Sequence, residues 1–349
     1  VLDTTNFEHK KYQMSSYDND RVSWGRTVKD SWIADRDRKW IAGEFVWTGF
    51  DYIGEPTPWN NSNSQSDPNY PKSSYFGIID TAGLKKDAYY LYQSQWSEEP
   101  MVHILPHWNW EDEEERKNVE DSEGKIPIRV YSNAKSVELF LNGKSLGKKT
   151  FSTKKTADGR EYQQESDTSN NLYQEWRVSY KYNTTDKLIA IARDEKENVV
   201  ANTELRTADN ASRIHLSADR NIINADGYDL SYITIEMRDN KEALDPKSNK
   251  EINLEISGNG KIVGVDNGNP ATHDTFKEQE DGTWKINTFN GKAVVIVQST
   301  KEAGEIKLQA ECENFENSEI TIKTKPVTIN NVKSVSYTHL RAHETTLHL

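Results

Sequence analysis

The sequence has a single cysteine, Cys312, among 349 residues. One cysteine excludes an intrachain disulfide and a cysteine-based zinc site, and it leaves cytoplasm, periplasm and cell surface equally open. No apolar run approaches membrane-spanning length, so no segment reads as a bilayer-crossing helix. Positive charge is in deficit: 44 Lys and Arg face 56 Asp and Glu, for a net charge of −12. Phosphate binding needs a basic surface, so nucleic acid is not an expected partner. No P-loop, dinucleotide fingerprint or HExxH motif occurs, and no cofactor or metal is expected. An initiator Met and a signal peptide are missing from the opening "VLDTTNFEHKKY". The true N-terminus is therefore expected to lie upstream.

What the sequence does have is aromatic residues, with ten tryptophans and sixteen tyrosines. Both bury large area while keeping a polar handle, and sugar sites use their faces as stacking platforms. Most of these rings are expected to fill domain cores. The length suffices for two or three domains with cores of their own.

Residues 1–98 read as mixed α and β. "SYDNDRVSWGRTVKDSWIADRDRKW" predicts a helix capped near Asp18, with Trp24, Val28 and Trp32 on one face. "WIAGEFVW" is a short, nearly continuous apolar run, the pattern of a strand buried on both faces. A loop rich in Pro, Asn and Ser follows over 54–74, then the apolar "YFGIIDTAG" and a helix in "LKKDAYYLYQSQW". This order suits a β/α barrel, whose ligands meet the loops at the C-terminal strand ends. From residue 99 the texture changes to short alternating segments between polar turns, with a hairpin signal at Asn142-Gly143. Two β-sandwiches are expected, over 99–208 and 209–326.

Several motifs carry no chemistry. "GKSLG" at 143–147 fits G-x-S-x-G but lies in a predicted hairpin, whereas that motif needs a strand-to-helix turn. "EDEEE" at 111–115 reads as a solvated acidic loop. Asp266, Asn267 and Asn269 lack EF-hand spacing and read as a polar turn. His339 and His343 share a helical spacing, but no third metal ligand is evident.

The stretch "GEFVWTGFDYIGEPTPW", 43–59, gathers carboxylates and aromatic rings at a strand end. Retaining glycosidases hold two carboxyls about 5 Å apart. Glu44 is at the start of the expected strand, and four strand residues already span roughly 13 Å. Glu44 and Glu55 are thus too far apart to be such a pair, and Glu44 is expected to be structural. Trp47, Asp51, Glu55 and Trp59 lie toward the ligand-bearing face, while Trp47 fits a core ring equally well.

"IAGEFVWTGFDYIGEPTPW", "KSSYFGIIDTAGLKKDAYYLYQSQW" and "VHILPHWNW" together resemble the last barrel strand and helix of family-2 glycoside hydrolases. Within that family they resemble the large bacterial β-galactosidases. The resemblance runs on through "VELFLNGKSLGKK" and "GKIVGVDNGNP", covering residues 12 to about 325. It implies a mainly β, multidomain chain: the C-terminal remnant of a TIM (β/α)8 barrel over 1–98, then two immunoglobulin-like sandwiches. It also implies a retaining exo-β-galactosidase acting on a β-galactoside substrate. The family's acid/base Asn-Glu pair and its nucleophile glutamate find no match, so no catalytic residue is expected here and the chain alone should be inactive. Trp47 matches the eighth-strand tryptophan that walls the sugar pocket, and Asp51 a recurring acidic position after it. Glu55 and Trp59 are expected pocket or aglycone contacts. Phe76 stands where some relatives place a sodium-ligating asparagine, so no sodium site carries over.

Two rival readings stay open: another family-2 exo-glycosidase, a β-glucuronidase or β-mannosidase, and a non-catalytic glycan-binding or adhesion module. A bacterial source is expected, and the location is left open, with periplasm and cell surface among the options for the full-length protein. Residues 327–349 are expected to be linker and tail. From about Ser334, "VSYTHLRAHET" resembles translated sequencing-adapter read-through rather than native sequence.

Overall fold

The computed structural model describes residues 12–22, 24–57, 59, 66–67, 69–181 and 184–327. The tail with His339 and His343 lies outside the described residues. Among the described residues the chain is mainly β, with three short helices.

The first helix, α1, is Val28–Arg36. Its N-cap is Thr27, whose hydroxyl accepts from the Asp30 amide. Asp18 does cap this end, but from a distance: its carboxylate accepts from the amides of Val28 at 2.8 Å and Lys29 at 3.0 Å. The expected helix therefore starts later. Trp24 precedes it, exposed, while Trp32 is buried. The second helix, α2, is Asp87–Trp96, within the stretch "LKKDAYYLYQSQW" that predicts it. Its Leu91 packs with Trp32, Tyr17, Leu105, Tyr131 and Leu172 in one small core.

"WIAGEFVW" forms no strand. Trp40, Phe45, Trp47 and Phe50 stand more than half exposed. A strand of a parallel sheet needs hydrogen-bonded neighbours, and among the described residues no strand pairs with 40–47.

The first sandwich uses Val102–Leu105 (β1), Ile126–Ser132 (β2), Ser136–Leu141 (β3), Lys144–Thr150 (β4), Ser152–Lys155 (β5), Glu161–Gln164 (β6), Gln174–Val178 (β7), Lys187–Arg193 (β8) and Val199–Arg206 (β9). Its two main sheets have the orders β1-β2-β7 and β4-β3-β8-β9, with β5-β6 as a separate ribbon. "EDEEE" is not simply a loop: Glu113–Lys117 forms a helical turn, α3, capped by the Asp112 carboxylate. Acidic side chains are favourable at that helix end. The run is mostly exposed, as its charge predicts, and Asp112 within it also serves as the cap.

The second sandwich uses Arg213–Ala218 (β10), Ile222–Ala225 (β11), Leu230–Arg238 (β12), Glu251–Gly258 (β13), Gly260–Asp266 (β14), Trp284–Asn287 (β15), Lys292–Ser299 (β16), Gly304–Glu311 (β17) and Ser318–Pro326 (β18). Its sheets run β10-β12-β16-β14 and β11-β18-β17-β13-β15. Alternation in "SYITIEMR" turns Ile233, Ile235 and Met237 inward against Ile252, Leu254, Ile306 and Leu308 of the facing sheet. Each such fully buried side chain contributes about 1.5–3 kcal/mol relative to exposure, and these layers hold the sandwich together.

Candidate functional site

The segment 48–54 does not belong to a sheet, yet it is firmly tied to 72–79. Gly54 N donates to Lys72 O, Ser74 N to Tyr52 O, Asp51 N to Ile79 O and Ile79 N to Gly49 O, all at 2.8–2.9 Å. At the centre of this zipper lies the Asp51 carboxylate, buried. It accepts from Gly77 N at 2.7 Å and Ser74 Oγ at 3.1 Å, and it pairs with the Lys86 ammonium. Burial pushes the Asp51 carboxyl up, and the Lys86 charge opposes it. Its oxygens are committed to protein groups.

Trp47 is 68% exposed and meets Tyr52 edge to face, with centroids 6.4 Å apart. Tyr52 in turn packs on Phe76 at 5.8 Å, and Phe76 on Trp24 at 5.8 Å. This row of rings sits beside an open hollow of about 1790 Å³ whose lining includes Trp24, Glu44, Trp47, Tyr75 and Phe76. Trp47–Thr48 is a cis peptide. Glu44 accepts from Ser31 Oγ at 2.7 Å, and burial raises its carboxyl. Its second oxygen is buried without a hydrogen-bond partner among the described residues.

The other two predicted residues separate from Trp47. Glu55 is exposed and accepts from the Tyr52 hydroxyl, which holds the phenol proton in place. Trp59 is half-buried in a second aromatic group, 4.4 Å from Tyr75 and 5.9 Å from Tyr12, and its carbonyl accepts from Tyr70 Oη. Of the four, only Trp47 lines the hollow. Sequence reasoning missed Tyr52, Phe76 and Trp24 as its neighbours. Their aromatic character was visible, but their convergence depends on the pairing of 48–54 with 72–79.

An aromatic wall beside carboxylates is chemically suited to a sugar face. Residues 214–321 match "Glycoside hydrolase family 2 C-terminal domain 5", and 123–201 match a domain of unknown function, DUF4982. The chain is 40% identical over 321 residues to the β-galactosidase BoGH2A of Bacteroides ovatus, covering 91% of this chain and 32% of that protein. The chain belongs to glycoside hydrolase family 2. A putative β-glucuronidase of Formosa agariphila is 34% identical over 274 residues, covering 77% of this chain and 23% of that one. A crystallographic β-glycosidase from Bacteroides vulgatus superposes with a TM-score of 0.70 at 30% identity, over 90% of this chain and 34% of its own. The chain thus spans between about a quarter and a third of the length of these relatives, and it corresponds to a C-terminal region of the family.

Proposed function

We propose that this chain is the C-terminal region of a retaining exo-β-galactosidase that removes terminal β-linked galactose through a galactosyl-enzyme intermediate. The observation that carries the reading is the 40% identity with a β-galactosidase across 91% of the chain. In this reading residues 1–98 are the closing part of a (β/α)8 barrel, and 99–208 and 209–326 are immunoglobulin-like domains behind it. The apolar rings left open at Trp40, Phe45 and Phe50, and the unpartnered Glu44 oxygen, are what a barrel segment presents to neighbouring strands. Trp47 forms an apolar wall for the nonreducing-end sugar. Glu55 and Trp59 act at the rim, and Asp51 serves the pocket from beneath by fixing the loop that carries them.

The acid/base and nucleophile glutamates are expected in the remainder of the full-length protein. An aryl β-galactoside assay on full-length protein and on this chain alone tests both statements. Turnover is expected from the first and none above background from the second. The 34% identity to a putative β-glucuronidase gives the second reading its footing, so an aryl β-glucuronide belongs in the same assay. Preference of the full-length protein for the glucuronide would overturn the galactosidase assignment.

A further inference from the structure

The loop that follows β14 leaves its own sandwich and reaches the candidate site more than 180 residues upstream. The Pro270 carbonyl accepts from Lys72 N at 2.9 Å and from Ser73 N at 3.2 Å. A ring nitrogen of His273 is 3.1 Å from the Tyr70 carbonyl, and the Lys72 ammonium sits 4.7 Å from the Phe276 ring centroid. Gly268, at φ +72°, closes on Asp80 so tightly that a Cβ there would stand 2.1 Å from a carboxylate oxygen. Only glycine fits that approach and that backbone conformation without strain.

The loop is also held by hydrogen bonds of its own. Asp266 Oδ1 accepts from the amides of Asn267 at 2.7 Å and Gly268 at 3.0 Å, and Asn267 Oδ1 from Asn269 N at 3.0 Å. Asn267 Nδ2 donates to Asn287 O at 2.8 Å, and the Asp274 carboxylate accepts from Asn287. The turn is therefore fastened to β15 and presents Pro270 O in a fixed place.

Beyond Pro270 the contacts continue inward without a gap. Ser73 and Ser74 are both buried; Ser73 Oγ donates to Tyr52 O at 3.1 Å, and Ser74 Oγ to Asp51 Oδ1 at 3.1 Å. Tyr52 carries the ring that Trp47 packs against and the hydroxyl that Glu55 accepts. We propose that Gly268 and Pro270 of the last sandwich are positioning residues for the sugar pocket, setting the place of the Asp51–Tyr52 segment and with it the Trp47 wall. The link to a pocket rests on the function proposed above; the link between the two segments does not.

The test separates the two. Gly268→Ala puts a methyl into the Asp80 contact, and Phe276→Ala is a milder variant that removes the ring beneath Lys72 and leaves the turn intact. Amide hydrogen exchange of residues 49–54 is read on this chain, without substrate. The expected result is at least tenfold faster exchange there in Gly268→Ala, with 126–141 in the first sandwich unchanged. Asp80→Ala, which shortens the group the methyl strikes, should restore part of the slow exchange in the Gly268→Ala background, the rest being the strain of alanine at a positive φ. In the full-length protein KM for an aryl β-galactoside should rise severalfold with kcat changed less, since the wall binds the sugar but does not react.

Unchanged exchange at 49–54 in both variants overturns the proposal whatever the substrate. Faster exchange with KM and kcat both unaltered overturns it as well, because the segment then moves without consequence for the pocket. A full-length protein with no galactosidase activity is the failure of the function reading, and the exchange arm then decides whether the loop positions this segment.

Discussion

Gly77 closes directly on Asp51: its amide donates to Oδ1 at 2.7 Å, and a Cβ on it would stand 2.2 Å from the Asp51 amide nitrogen. The obstacle is backbone, which cannot rotate aside as a flexible side chain can. Gly77→Ala should therefore part the 48–54 and 72–79 segments at their tightest point and destabilise the chain by about 1–3 kcal/mol. Urea unfolding measures the loss. A change below a few tenths of a kcal/mol would show that the approach is looser than described. Asp51→Ala should cost about 3 kcal/mol or more, because it leaves the Lys86 ammonium facing a buried gap. Asp51→Asn should cost less, since it keeps the acceptor for Gly77.

Much of the fold was legible where local pattern and tertiary pairing agree. The alternation in "SYITIEMRD" and the Asn142-Gly143 turn both led to the observed strands and hairpin. The apolar run at 40–47 did not, because its strand character depends on neighbours to either side rather than on anything local. The site was half legible. Trp47 is marked in the sequence by its place in a family pattern, and the structure shows its exposed ring lining the hollow. The enclosure of Asp51 was not foreseen, since it depends on Ser74, Gly77 and Lys86 arriving from 23 to 35 positions away. Nor was the reach of Pro270 to Lys72, because a polar turn in a sequence gives no sign of what it touches.

Burial pushes the Asp80 carboxyl up from 3.8 to about 6, with Asp266 and Asp51 adding to the rise and Leu84 N and Lys86 opposing it. The folded state thus holds this proton after the unfolded chain has released it. Below about pH 4 both states are protonated and the group is neutral toward stability. Between pH 4 and 6 stability falls as the unfolded chain ionises first, and above pH 6 the loss is constant. Asp18, raised to about 6 by burial against its bonds to Val28 and Lys29, acts in the same direction. Asp80→Asn should remove its share of the fall, about 1–3 kcal/mol. Urea midpoints at pH 4, 5, 6 and 7 check this, and parallel profiles for the two proteins would count against it.

The hairpin between β3 and β4 turns over two residues. Asn142 and Gly143 both take positive φ, 51° and 80°, as a two-residue turn matched to strand twist requires. Gly143→Ala should cost about 1–2 kcal/mol, the penalty of a left-handed conformation for a residue with a Cβ. No atom crowds the position, so the whole cost is conformational. Thermal unfolding should show a lower midpoint, whereas a change to Asn at the same position should be better tolerated.

Trp47 and Trp59, both in the stretch 43–59, should behave differently. Trp47 is largely exposed, so Trp47→Ala should alter the stability of this chain by no more than about 0.5 kcal/mol. Trp59 is packed against Tyr75 and Tyr12, and Trp59→Ala should cost about 1–3 kcal/mol. In the full-length protein the order should reverse. A ring that walls the sugar is worth about 0.5–1.5 kcal/mol through its face, so Trp47→Ala should lower kcat/KM for an aryl β-galactoside by up to about tenfold. The loss should fall on KM and on product inhibition by galactose alike, because substrate and product share the nonreducing-end sugar. If kcat/KM stays level while stability drops, Trp47 is a packing residue that only looks exposed here, and the pocket wall must be sought among Trp24, Tyr52 and Phe76.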